Sequence, residues 1–152
     1  MSPANAFQFI QGMETLPLRM ERHCENAQKV AEYLSGHAKV TKVIFPGVME
    51  GEPRTRADRY LKGGYGSLLG FEVASGEEGG KKFIEALKMF YHVANIGDAR
   101  SLAIHPATTT HSQLAAEEQL ASGVTEGYIR LSVGIEHIDD ILADLAQALD
   151  AS

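Results

Sequence analysis

Tyr128-Ile129-Arg130-Leu131-Ser132-Val133-Gly134-Ile135-Glu136, followed by an apolar stripe through Ile138, Ile141, Leu142, Leu145 and Leu149, decides how this chain is read. Ile129, Leu131 and Val133 alternate with Arg130, Ser132 and Gly134, which is the period of a strand with one face on a core. The stripe that follows repeats every three to four residues and predicts an amphipathic helix. Alternation aims Arg130 at the face opposite the core, on a rigid element among small neighbours. A guanidinium held this way is suited to grip a carboxylate through two parallel charge-assisted hydrogen bonds. Pattern alone also fits an ordinary surface arginine on an edge strand, and the rest of the chain has to decide.

Working outward, 152 residues are the size of one domain and enough to bury a sizeable core. A formal net charge of −6 and no basic run longer than Lys81-Lys82 argue against a nucleic-acid partner. No apolar run approaches membrane-spanning length, and the N-terminus lacks a signal-peptide layout. The lone Cys24 cannot form an internal disulfide, which fits a reducing cytoplasm. It lies at helical spacing from Met20 and Ala27, so a buried, inert thiol is expected rather than a nucleophile paired with His23.

The periodicities predict helices over Pro3–Gln11 and Pro17–Ser35, broken at Gly12 and Pro17, with proline tolerated in a first turn. In the second helix the stripe runs through Met20, Cys24, Ala27, Val30, Ala31 and Leu34. A strand over Val40–Phe45 leads into a loop-like Glu50–Asp58 and a short helix around Arg59. Ser67–Val73 reads as a strand, Glu77–Phe90 as a helix and His92–Ile96 as another strand. Ala99–Gly127 reads as a long loop with a helix at Ala115–Ala121. In the last helix Asp139, Asp140 and Asp144 face away from the apolar stripe, with acidic charge favourable in the first turn. The expected architecture is α+β: a two-layer sandwich of a small, mainly antiparallel sheet with helices on one face, preceded by a long kinked helix.

Three groups of motifs carry a resemblance: Ser2-Pro3-Ala4-Asn5-Ala6-Phe7 with Gly12–Met20 and Arg22–Ala27; Asn95-Ile96-Gly97-Asp98-Ala99 with His105–Ser112; and Ile129–Glu136. In order and over nearly the whole chain they resemble the Cys/Met-metabolism enzymes that use pyridoxal phosphate, the O-acetylhomoserine sulfhydrylase branch in particular. The resemblance implies the C-terminal domain of a fold-type I enzyme: residues 1–36 as a connecting helix segment and 37–152 as the substrate-binding domain. It implies a transsulfuration reaction in which O-acetylhomoserine and sulfide give homocysteine and acetate. The full-length enzyme is then a homodimer or homotetramer. Methionine γ-lyase and cystathionine γ-synthase are the alternatives within the family, and a free-standing, non-catalytic ligand- or partner-binding domain is the alternative outside it.

The same resemblance places the aldimine lysine and the groups that hold the cofactor in a segment upstream of the Ser-Pro-x-Asn-Ala motif. No catalytic or cofactor-binding residue is therefore expected within these 152 residues, and the chain alone is expected to be inactive. Thr41-Lys42 mimics the Thr-Lys of that site but falls inside a predicted strand. What remains is the substrate half: Arg130 for the α-carboxylate, Asn95 and a backbone N–H near Ile96 beside it, and Ser101 on the following loop, either approaching the substrate or capping the loop. His105 and His111 match no zinc spacing, so no metal is expected. His105-Pro106 reads instead as a loop-shaping element, and His111 as a partner for backbone groups or loop threonines. Gly97 and Gly134 are expected to leave room for a ligand backbone.

Overall fold

The computed structural model describes residues 1–152. Helix α1 spans Pro3–Glu14; the Ser2 hydroxyl accepts the Asn5 N–H at 3.2 Å, and Pro3 occupies the first turn. Thr15 separates it from α2, Leu16–Ser35. Arg19 ties the kink, donating through Nε to Thr15 Oγ1 at 3.3 Å and through its second arm to the Gly12 carbonyl. Arg22 and Glu25 pair one turn apart, as their spacing suggests.

Five strands form one sheet in the order β1-β2-β5-β4-β3. They are β1 Val40–Ile44, β2 Leu68–Val73, β3 Tyr91–His92, β4 Leu102–Ile104 and β5 Tyr128–Ser132. Every pairing is antiparallel except β3 with β4. Strand β5 is therefore central, which removes the edge-strand reading of Arg130. Register follows alternation: Phe71 lies opposite Ile129, and Leu131 lies between Leu69 and Ala103. Those residues form one face of the sheet.

That face is sealed by α2, by α4 (Gly76–Ala86) and by α6 (Ile138–Ala151), while the short α5 (Ala116–Ala121) precedes β5 in the chain. Ala27, Val30, Ala31 and Leu34 come from α2, Phe83 and Ile84 from α4, and Ile141, Leu145, Ala148 and Leu149 from α6. Fully burying a Leu, Ile or Phe contributes roughly 1.5–3 kcal/mol, so this layer carries most of the drive to fold. The opposite face carries Arg130 between Gly70 and Ile104, with Ser132 and Tyr128 on either side along the strand.

Several expectations need correction. The segment Glu52–Tyr60 is helical throughout as α3, not loop up to Asp58. It has no buried residue and is supported by charge pairs such as Arg54–Asp58, so it leaves no apolar period to read. Helix α4 stops at Ala86, four residues early, because Asp144 of α6 accepts the N–H groups of Lys88, Met89 and Phe90 at 2.9, 2.9 and 3.2 Å. Asp144 is therefore buried instead of solvated. The strand expected over His92–Ile96 shrinks to Tyr91–His92. The supposed long loop contains β4, whose three residues are too few to show a period. In α2 the exposed Met20 drops out of the buried stripe, Cys24 is only half-buried, and His23 and Asn26 are buried in their place.

Candidate functional site

Arg130 is half-buried on the open face of the central strand, and its Nη2 donates to the backbone carbonyl of Asn95 at 3.3 Å. The two meet because the segment after β3 folds back across β4. Gly97, with φ +71°, makes the bend, and its N–H donates to the Ser132 hydroxyl at 3.2 Å. Asn95 and Ile96 are both exposed on this loop. A guanidinium has five N–H donors, so one bond to a carbonyl leaves the fork available for an incoming acceptor.

Of the two readings of Ser101, its hydrogen bonds are those of a residue that holds the loop. It is fully buried: its hydroxyl donates to Glu136 Oε2 at 2.9 Å and accepts the Gly134 N–H at 2.8 Å. Its own N–H donates to Glu136 Oε1 at 2.6 Å. Gly134 likewise holds protein instead of leaving space for a ligand. A Cβ there would come within 2.5 Å of the Ala99 carbonyl oxygen and 2.6 Å of the Arg100 carbonyl carbon. At the foot of the loop the Arg100 guanidinium lies 4.4 Å over the Tyr91 ring. The Arg100 N–H, then its side chain, hold the Asp98 carboxyl below the usual carboxylate range. Tyr128, beside Arg130 on the strand and against Gly70, has its phenol pushed up by burial, with the Arg130 charge opposing.

The histidines are loop supports. His105 is buried between the Thr108 hydroxyl at 2.8 Å and the Glu126 carbonyl at 2.7 Å, and burial pushes its imidazole below its ordinary value. Because a carbonyl only accepts, Nε2 carries the proton. His111 pairs with the Thr110 hydroxyl at 2.9 Å. No three His, Cys, Asp or Glu side chains are grouped to hold a metal ion.

Over residues 1–150 the sequence matches the family described as Cys/Met metabolism PLP-dependent enzymes. The chain belongs to that family. It is 55% identical, over 98% of its own length and 34% of the relative's, to an O-acetyl-L-homoserine sulfhydrylase of Leptospira meyeri. It is 50% identical, over 99% of its length and 35% of the other's, to a homocysteine synthase of Schizosaccharomyces pombe. An L-methionine gamma-lyase of Fusobacterium nucleatum is 41% identical over 99% of this chain and 38% of that one. The crystal structure of a putative O-acetylhomoserine (thiol)-lyase from Campylobacter jejuni superposes with a TM-score of 0.91. It is 40% identical over 99% of this chain and 36% of that chain, and it holds N'-pyridoxyl-lysine-5'-monophosphate. The chain thus spans about a third of the length of the relatives it matches.

The family's cofactor is pyridoxal phosphate, and the lysines of this chain do not by themselves fit it. Lys39 caps the end of α6, donating to the carbonyls of Leu149, Asp150 and Ser152 at 2.8, 3.0 and 2.9 Å. Lys42 pairs with Glu72 at 3.5 Å on the edge strand β1, and Lys62 and Lys81 pair along their own segments. Lys29, Lys82 and Lys88 are exposed. None is enclosed beside groups that could hold a phosphate and a pyridine ring.

Sequence reasoning missed the buried polar residues His23, Asn26 and Asp144, and the half-buried Glu136, as structural groups. The nearest signal lay in α2, where His23 and Asn26 fall at helical spacing from Val30 and so on its core-facing side. Helices α1 to α6 include none long and apolar enough to cross a membrane.

Proposed function

We propose that this chain is the substrate-binding domain of a pyridoxal-phosphate-dependent O-acetylhomoserine sulfhydrylase, with Arg130 receiving the α-carboxylate of the amino-acid substrate. The observation that supports this most directly is the meeting of Arg130 with the Asn95 loop on the open face of the sheet. A central strand fixes the guanidinium, Gly70 and Ile104 leave its flanks uncharged, and the Asn95 loop meets it through a backbone carbonyl, so that the Asn95 amide and the Ile96 N–H would be the neutral donors nearest an incoming acceptor. A carboxylate is the acceptor such a set is built for. Ser101 takes part by holding the loop rather than by touching the ligand.

When bound, the cofactor supplies the electron sink for replacing acetate on O-acetylhomoserine with sulfide to give homocysteine. The role of Arg130 is orientation, since an arginine keeps its proton throughout. On this reading the cofactor and its lysine belong to the part of the relatives' length that this chain does not match. Residues 1–36 connect the two parts and 37–152 bind substrate. Helix α1 buries none of its residues, and Phe7, Phe9, Ile10 and Met13 stay more than half exposed, as a segment covered by that other part would. The full-length enzyme is then a cytoplasmic homo-oligomer.

Identity is 55% to the Leptospira meyeri sulfhydrylase and 50% to the homocysteine synthase, against 41% and 43% to two methionine gamma-lyases and 40% to the Campylobacter jejuni thiol-lyase, and the two highest values order the readings. The test is a comparison of substrates with the full-length enzyme. Homocysteine and acetate from O-acetylhomoserine and sulfide support the proposal. Methanethiol from methionine alone favours the lyase, and cystathionine from cysteine favours the γ-synthase. Turnover of none of these favours a non-catalytic binding domain.

A further inference from the structure

Two segments distant in sequence run side by side below the proposed carboxylate site. One is Gly97–Ser101, which follows Asn95 and Ile96; the other is Ser132–Glu136, which follows Arg130. The Gly97 N–H donates to Ser132 Oγ at 3.2 Å, and the Ile135 N–H to the Ala99 carbonyl at 2.9 Å. The remaining links pass through one carboxylate. Glu136 accepts the Ser101 N–H at 2.6 Å and the Ser101 hydroxyl at 2.9 Å, and that orients the hydroxyl to accept the Gly134 N–H at 2.8 Å.

The second segment is gripped from the helix side as well. His23 Nδ1 meets the Val133 carbonyl at 2.6 Å, and Asn26 Nδ2 donates to the carbonyls of Gly134 and Glu136 at 3.0 and 2.9 Å. Both side chains are buried on α2, so the turn after β5 cannot move without breaking bonds inside the core. The loop that carries Asn95 has no such grip from the helix side. It is exposed from Tyr91 to Gly97, and it is tied to the sheet by the Gly97 N–H on Ser132 Oγ and, at its far end, by Ser101.

We propose that Glu136 is a positioning residue for the amino-acid substrate. Its carboxylate fixes Ser101 and so sets the distance from the Asn95–Ile96 loop to the Arg130 guanidinium. The inference rests on the carboxylate reading of Arg130. Its chemical basis is the matching of donors and acceptors: an ionised carboxylate only accepts, and the Ser101 N–H and O–H both need acceptors. An amide in its place must turn one donor toward Ser101. Shortening to Asp withdraws both oxygens by one methylene.

The test uses the full-length enzyme, with KM for O-acetylhomoserine and for sulfide measured separately. Glu136→Gln should raise KM for O-acetylhomoserine about tenfold, the equivalent of roughly 1.4 kcal/mol. KM for sulfide and the absorbance of the bound cofactor should be unchanged, and kcat should move far less than KM. Ser101→Ala should act similarly. The double variant should be little worse than either single one, because both remove the same link. A Glu136→Gln enzyme with parental KM for O-acetylhomoserine, or with both KM values raised equally, overturns the inference. Arg130→Ala separates the two claims. If it raises KM for O-acetylhomoserine while Glu136→Gln does not, only the positioning role fails. If neither variant raises it, the carboxylate reading fails too.

Discussion

Arg130 Nη2 lies 3.3 Å from the carbonyl oxygen of Asn95, a residue 35 positions earlier in the chain. Their strands are not neighbours, because β4 lies between β5 and β3. The contact is made by a loop that crosses β4 and is pinned by the Gly97 N–H on Ser132 Oγ and by Ser101, whose hydroxyl accepts the Gly134 N–H. One side of the proposed site is thus as rigid as a central strand, and the other is as rigid as the bonds that hold a loop.

That asymmetry makes Arg130 the residue whose loss should be most costly to activity. Arg130→Ala in the full-length enzyme should lower kcat/KM by a factor equivalent to about 2–4 kcal/mol, the scale of a lost desolvated carboxylate contact. Arg130→Lys should recover only part, because a point charge lacks the planar fork. Steady-state kinetics with O-acetylhomoserine measure both. A near-parental value for the alanine variant would make this a surface arginine after all.

Asp144 should matter for stability instead of turnover. Asp144→Ala leaves the N–H groups of Lys88, Met89 and Phe90 without their acceptor and should cost about 2–4 kcal/mol of unfolding free energy. Asp144→Asn keeps one carbonyl acceptor and should cost less. Denaturant midpoints of the folded enzyme, read with kinetics at saturating substrate, distinguish this role from a catalytic one.

His105 should give stability a pH dependence of defined sign. Burial pushes its imidazole below the ordinary 6.5, so below that pH the unfolded chain binds more protons than the folded one. Its contribution is fully present above about 6.5 and is lost as pH falls from there toward the folded value. Unfolding midpoints compared at about pH 7.5 and about pH 5.5 should fall less in a His105→Gln variant than in the parent. An equal fall in both would assign the pH dependence to other groups.

The 152-residue chain by itself should not capture pyridoxal phosphate at one defined lysine. Borohydride reduction followed by peptide mapping should find at most scattered, low-level labelling of exposed lysines. Stoichiometric labelling of Lys42, the residue after Thr41 on β1, would contradict this and would give the Thr-Lys pair a chemical role.

Much of the fold was legible because periodicity and burial agree where elements are long. The stripe of α6 and the alternation of β2 and β5 each place a core face without reference to the rest of the chain. Family motifs added Arg130, Asn95 and Ile96 as candidates, and alternation alone put Arg130 on the open side. The short elements were not legible: three residues of β4 carry no period, and α3 is polar all round.

Sequence by itself determined which residues could be core, which strand carries the arginine and which family the motifs belong to. Only the tertiary structure decided that β5 is central and that the Asn95 loop crosses β4 to reach it. It also decided that Ser101, Asn26 and Asp144 are buried links, and that the half-buried Glu136 is tied to Ser101. The physical reason is the range of the interactions. Hydrophobic alternation is a local property of consecutive residues, whereas the acceptor for a buried N–H or hydroxyl can come from anywhere in the chain, here from as far as 110 residues away.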